Sequence, residues 1–217
     1  MNYADLAKTP LFRGFTENAI SEALTLFGYH IQTYSREELI LQEGDQTSEI
    51  GIVLDGSVRI ERIDYQGNRN ILSHVSPDQI FAETYALFKN EPLMVDVVAG
   101  SDCRILFLSL RQMQTPAIQK AAWYPSFITN LLFVSGRKNL ELSNRSFHTA
   151  SKHIRGRVFS YLQAQSRQKG SPEFDIPFNR QQLADYLNLD RSALSNELSK
   201  MRTEGLIDFH KNHFRLL

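Results

Sequence analysis

Near the end of the chain, Arg191, Ser192, Ser195, Asn196 and Lys200 follow one another at steps of one, three and four residues. On a helix these positions share a face. They lie opposite Leu194, Leu198 and Met201, which recur at i, i+4 and i+7. Such a row of exposed donors and acceptors has a definite chemistry. The guanidinium fork of Arg matches the two acceptors of guanine, and the amide of Asn matches the donor and acceptor of adenine. The residue types therefore point to reading of base edges in a DNA major groove.

That chemistry requires elements to hold the row outward. Asn179 is suited to cap a helix beginning at Arg180, and Gln182 is placed to complete a capping box. Leu183, Ala184 and Leu187 give that helix an inner face. Asn188-Leu189 forms a short turn, Asp190 caps the second helix, and Gly205 ends it. Two short helices joined by so short a turn form a helix-turn-helix. Two apolar runs follow, Leu206–Phe209 and His213–Leu217, with Lys211-Asn212 between them as a hairpin turn. They supply a wing. A plain helical hairpin with a solvated face would explain the periodicity but not the coincidence of turn, polar row and hairpin.

Upstream the periodicity changes. From about Tyr29 to Leu108 the chain reads as short strands at regular spacing. Ile50–Leu54 runs into the turn Asp55-Gly56, Val58–Ile63 alternates at period two, and Gly67-Asn68 marks a tight turn before Ile71-Leu72. Val95–Ala99 and Arg104–Leu108 flank Gly100-Ser101. This spacing predicts an antiparallel β-roll or jelly-roll. Thr16 is expected to cap a helix ahead of it. After Pro125 a long helix runs to about Thr149, with Phe127, Leu131, Val134 and Lys138 on one row and Ile128, Leu132, Ser135 and Leu142 on the next. About 24 residues span ~36 Å, more than a small β domain covers. Part of the helix is therefore expected to pair with a second copy of the chain.

Bulk properties agree with this division. The 217 residues contain 42% hydrophobic and 22% charged side chains and carry no net formal charge. The charge is unevenly placed. Residues 150–217 hold 11 Lys/Arg against 7 Asp/Glu, net +4, and residues 1–149 hold 13 against 17, net −4. A basic final third suits phosphate contact. No apolar run approaches a membrane span, and the first residues lack a signal pattern, so the expected location is cytoplasmic. With Cys103 alone, neither an internal disulfide nor a cysteine-held cluster forms within one chain. No enzyme is expected. The His-x-His pair of a metal-binding β-roll, a Ser-His-Asp motif and a phosphate-cradling glycine loop are all lacking. His30, His74, His148 and His153 fall in no haem motif and read as surface or capping residues.

The set Gln181–Leu187, Arg191–Ser195 and Glu204–Ile207 resembles the C-terminal domain of the Crp/Fnr family of transcription regulators. Ile154–Val158 resembles that family's helix after the hinge. Leu54–Val58 resembles its turn between strands, and Phe81–Leu87 stands where the family has its ligand cassette. The resemblance covers nearly the whole chain in order. It implies an α+β protein: an N-terminal antiparallel β-roll of the cyclic-nucleotide-binding type over residues 1–121, a dimerisation helix and hinge over 122–149, and a winged helix-turn-helix over 150–217. It implies a homodimer reading an inverted-repeat site in double-stranded DNA, with Asn179 and Gln181 on phosphates and Arg191, Ser192, Ser195, Asn196 and Lys200 toward the bases. RNA polymerase is an open partner whose contact surface the sequence does not mark. The rival reading is a ligand-binding regulatory subunit acting on a protein partner.

The departures from the family bear on the effector. Cyclic-AMP-binding members place an Arg-Ser pair beginning ten residues after the cassette Glu. Counted from Glu83, those places hold Leu93 and Met94, and the Gly before the Glu is Ala82. Leu142 stands for a Thr that meets the base, while Ser143 keeps its hydroxyl. A phosphate against Leu and Met lacks its charge partner, so cyclic AMP is not expected. Two alternatives stay open. One is a small apolar or aromatic effector near Tyr85, Leu93, Met94 and Leu142, with Glu83, Thr84 or Ser143 as polar handles. The other is a filled pocket and activity without a ligand.

Overall fold

The computed structural model describes residues 3–63, 69–88 and 90–217. The chain divides into two compact units, Met1–Lys138 and Asn139–Leu217.

The first unit opens with helix α1 (Tyr3–Leu6), a 3-10 turn at Pro10–Phe12 and α2 (Glu17–Phe27). Thr16 caps α2 as expected, its hydroxyl accepting from the Ala19 N–H at 3.2 Å. The strands are β1 (Tyr29–Tyr34), β2 (Leu39–Leu41), β3 (Glu49–Asp55), β4 (Val58–Ile63), β5 (Arg69–Val75), β6 (Ile80–Phe81), β7 (Asp96–Ala99) and β8 (Cys103–Ser109). Helix α3 (Glu83–Leu87) interrupts them, and α4 (Pro116–Gln119) follows them. Among the described residues they form two antiparallel four-stranded sheets, β1-β8-β3-β6 and β2-β7-β4-β5, which face each other as a roll. The turn expected at Gly67-Asn68 lies outside the described residues. Long helix α5 (Tyr124–Thr149) belongs to this unit as far as Lys138.

Apolar runs without polar breaks have a reason here. On β3, Ile50 and Ile52 face the helical layer of α1, α2 and the start of α5, while Val53 faces the roll interior. On β8, Leu106 and Leu108 face that layer, and Ile105 and Phe107 face the interior. A strand covered on both sides loses the polar half of its alternation. Gly51 is fixed by the same crowding, because a Cβ there would stand 2.1 Å from the Phe81 ring.

The second unit holds the end of α5, then α6 (Ile154–Lys169), β9 (Glu173–Asp175), α7 (Arg180–Leu187), α8 (Arg191–Thr203), β10 (Ile207–His210) and β11 (His213–Leu216). Its core is Val158, Tyr161, Leu162, Phe174, Leu183, Ala184, Leu187, Leu194, Leu198, Met201, Ile207 and Phe214, all buried. The helix faces read from the sequence are thus the ones that pack. Strand β9 escaped that reading: it is three residues long and pairs only as the outer strand of β10-β11-β9.

Candidate functional site

The exposed row on α8 is held by two caps. The Gln182 N–H donates to Asn179 Oδ1 and the Asn179 N–H donates to Gln182 Oε1, each at 2.9 Å, closing the box that starts α7. Asp190 Oδ1 accepts from the N–H groups of Ser192 at 2.8 Å and Ala193 at 2.9 Å. The Ala193 N–H foremost, and then the Ser192 side chain, hold the Asp190 carboxyl below the usual carboxylate range. Asn188 takes φ +53° at the end of α7, the left-handed residue that makes the turn between the helices. Beyond α8, Gly205 at φ +74° ends the helix as expected.

The caps leave Arg191, Ser192, Asn196 and Lys200 exposed and Ser195 half-buried, while Leu194, Leu198 and Met201 fill the core. Asn179 and Gln181 are exposed at the start of α7. The Asn179 side-chain oxygen already serves the cap, and Gln181 Nε2 donates to Asp185 Oδ1 at 2.8 Å. The wing is β10 against β11 in the register Phe209↔Phe214 and His210↔His213. Lys211 stands at its tip with φ +55°.

One residue near this row was missed in the sequence. Arg180 begins α7, its guanidinium 5.1 Å from the Phe209 ring centroid and 5.8 Å from that of Phe214. It donates to the Lys211 carbonyl at 3.4 Å. Burial first, and the like charge of Arg191 second, pull its pKa down. Arg180 therefore ties the wing to α7 and adds a cation beside Arg191. A signal existed, because a cation at a helix N-terminus opposes the helix dipole and calls for a compensating contact. His148 also differs from its surface or capping assignment. It is buried, with Nδ1 3.0 Å from Ser160 Oγ.

The residues singled out for an effector fall in both units. In the first, Leu93 is 2% exposed and packs in the roll interior with Val53, Phe81, Val97 and Phe107. Phe81 and Tyr34 stand edge-on to Phe107, at 6.1 and 6.5 Å between centroids. Glu83 is buried and gripped through both carboxylate oxygens, at 2.7 and 2.8 Å, by Lys138 Nζ, which also donates to the Ile80 carbonyl at 2.8 Å. Thr84 is exposed. The Tyr85 hydroxyl accepts from the Met94 N–H at 3.3 Å, and the Met94 side chain is open to solvent. Ala82 takes φ +62°, so the backbone keeps a left-handed turn although the residue is not glycine. In the second unit, Leu142 is exposed and Ser143 half-buried on α5. Among the described residues, no group of three or more His, Cys, Asp or Glu is placed to hold a metal ion. No helix among them is long and apolar enough to cross a membrane.

Residues 31–115 match the profile of the cyclic nucleotide-binding domain, and residues 156–217 match that of the Crp-like helix-turn-helix domain. No curated protein sequence matches the chain. Among solved structures, the c-di-GMP-responsive global regulator CLP of Xanthomonas campestris aligns with 16% identity over 93% of this chain and 99% of its own, TM-score 0.66. The catabolite activator protein of Thermus thermophilus aligns with 23% identity over 96% and 94%, TM-score 0.53. FixK2 of Bradyrhizobium japonicum aligns with 19% identity over 87% and 92%, TM-score 0.58. At such identities what is shared is the fold.

Proposed function

Because this chain belongs to the Crp/Fnr family of transcription regulators, with a cyclic nucleotide-binding domain followed by a Crp-like helix-turn-helix domain, we propose that it binds an inverted-repeat DNA site as a homodimer. We propose residues 1–121 as the sensing roll, 122–149 as the dimerisation helix and hinge, and 150–217 as the DNA-binding domain. The observation that carries this reading is α8, capped by Asp190 and held behind the capped α7, with its exposed row. Arg191, Ser192, Ser195, Asn196 and Lys200 are the base-facing set, and Asn179 and Gln181, joined by Arg180, fix register on phosphates.

Support for the homodimer comes from α5. Phe133, Leu140 and Phe147 recur every seven residues and are 74%, 66% and 74% exposed. Three large apolar side chains at heptad spacing are a seam for a second helix. Gly136 lies between the first two, with nothing within 4 Å of an added Cβ.

Cyclic AMP is not the signal in this reading. Leu93 belongs to the core and Glu83 already has its cation, so a cyclic phosphate would meet no positive partner. DNA binding then either needs no added ligand or answers to a small apolar effector, for which Thr84, Tyr85 and Met94 are the cassette groups left. Control of a protein partner in place of DNA is not favoured by the capped helix-turn-helix and its exposed row. The test is selection of DNA sites from a random library by the purified protein without ligand. An inverted repeat with half-site centres about one helical turn apart is the expected product. Arg191→Ala is expected to relax one base pair in each half-site, by ~1–3 kcal/mol of discrimination. An unchanged preference would remove Arg191 from the reading set. Enrichment only after addition of a metabolite extract would establish an obligatory effector.

A further inference from the structure

The last four carbonyls of a helix have no partner within it. At the end of α7 two arginines supply partners, the Asp185 carbonyl also accepting from the Asn188 N–H at 3.2 Å. Arg145, on α5, donates from Nη2 to the Asp185 carbonyl at 2.7 Å and from Nε to the Tyr186 carbonyl at 2.9 Å, with its guanidinium 5.8 Å from the Tyr186 ring centroid. Arg157, on α6, donates from Nη1 to the carbonyls of Asn188 at 2.8 Å and Leu187 at 3.3 Å, and from Nε to that of Ser151 at 2.8 Å. Four consecutive carbonyls, 185 to 188, thus each accept from a guanidinium. Both cations sit at the negative end of the α7 dipole. Next to this clasp the buried His148 ring stands 5.7 Å from Tyr161 and 6.2 Å from Tyr186, so the last turn of α5 also packs on α6 and α7.

The same stretch of α5 presents Leu140 and Phe147 on its exposed side. At 100° per residue those two point within roughly 20° of one another, and Arg145 points roughly 140–160° away from them. One face of this helix end is open, and the other holds the first helix of the helix-turn-helix.

We propose that Arg145 is a positioning residue that makes the end of α5 and the helix-turn-helix one rigid body. The separation of the two reading helices in a dimer is then set by how α5 pairs with its copy. The hinge proposed at the end of α5 is then held by this clasp. This rests on the reading of a homodimer on an inverted repeat.

The experiment uses the full chain and the half-sites returned by selection. Duplexes with the selected spacing, and with one base pair more or fewer, compete in a single reaction. One base pair turns a half-site by about a tenth of a helical turn, a change a rigid dimer does not absorb. Wild-type protein is expected to favour its own spacing by about tenfold or more. Arg145→Ala is expected to bring that ratio below about threefold while leaving base preference within the half-site unchanged. Arg145→Lys keeps the charge but not the two-carbonyl grip, is expected to do the same, and carries the test should the alanine variant not fold. The ratio is read on the bound fraction of one preparation, so partial unfolding does not move it. Both variants retaining the wild-type spacing ratio would overturn the proposal. Wild-type protein enriching only single half-sites would instead overturn the homodimer reading beneath it.

Discussion

Removing Lys138 should harm the roll more than removing the carboxylate it holds. The Glu83 side chain is 6% exposed and that of Lys138 34%. Lys138→Met therefore strands a charged group that water cannot reach. Breaking a fully buried pair from one side costs about 3–5 kcal/mol. Because the lysine end is partly wet, about 2–3 kcal/mol is the appropriate figure here. Glu83→Gln leaves an ammonium that can swing to solvent and keeps its bond to the Ile80 carbonyl, so ~1 kcal/mol is expected. The double variant replaces the ion pair by an amide and an apolar stem and should lie within ~1 kcal/mol of wild type. At about 3 °C per kcal/mol for a unit of this size, Lys138→Met should melt ~6–9 °C below wild type and the double variant within ~3 °C of it. The assay is thermal unfolding followed by circular dichroism at one protein concentration, since a dimer's melting point depends on it. Additive single losses, or Glu83→Gln melting lower than Lys138→Met, would refute the argument that the buried carboxylate is what Lys138 serves.

Ala82 holds a left-handed φ of +62°, a strain of ~1–2 kcal/mol for a residue with a Cβ. Ala82→Gly relieves it against ~0.4–1 kcal/mol of added chain entropy when unfolded, and should raise the melting point by a degree or more. Leu140→Asp places a charge in the proposed seam of α5; analytical ultracentrifugation is expected to find a dimer for wild type and a monomer for the variant, with loss of inverted-repeat binding. His213 and His148 of the second unit should move oppositely in an NMR pH series. Glu173 first, then Asp175, raise His213, with ring contacts of 2.9 and 3.0 Å. Its stabilisation is complete below about pH 6.5 and is lost as pH rises through the raised value. Burial lowers His148, so the folded state loses stability as pH falls below about 6.5, where only the unfolded chain takes the proton. His213→Gln and His148→Gln identify the two signals, and a shared pKa would refute both environments.

The reading helix was legible because its signals are local. Caps at Asn179 and Asp190, a stop at Gly205 and apolar residues at helical spacing act within one or two turns, and they form as expected. Strands β3, β4, β5, β7 and β8 of the roll were legible for the same reason, while β1, β2 and β6 were not singled out. What the sequence did not yield depends on distant partners. Lys138 was placed on an apolar row of α5, and that it reaches Glu83, 55 residues away, follows only from the packing of the helix on the roll. Arg145 and Arg157 carry no mark in their own neighbourhoods, since the carbonyls they serve lie 30 to 41 residues further on. The burial of His148 depends on Tyr161 and Tyr186. Strand β9 is too short for a period to register.

The fate of Glu83 also constrains what can control the roll. The family's cassette carboxylate is kept, but its cation comes from within the chain, and all three polar contacts of Lys138 Nζ are spent on Glu83 and Ile80. A molecule acting at Glu83 must displace that ammonium and leave the carboxylate no worse off. It must bring a positive charge or strong donors of its own, because an uncompensated carboxylate at 4% residue exposure is too costly to leave behind. An anionic ligand fails on both counts. It would approach a buried negative charge, and the place where a neutralising arginine would stand belongs to Leu93, packed against Phe81 and Phe107. An effector acting at this place is therefore expected to be neutral or cationic.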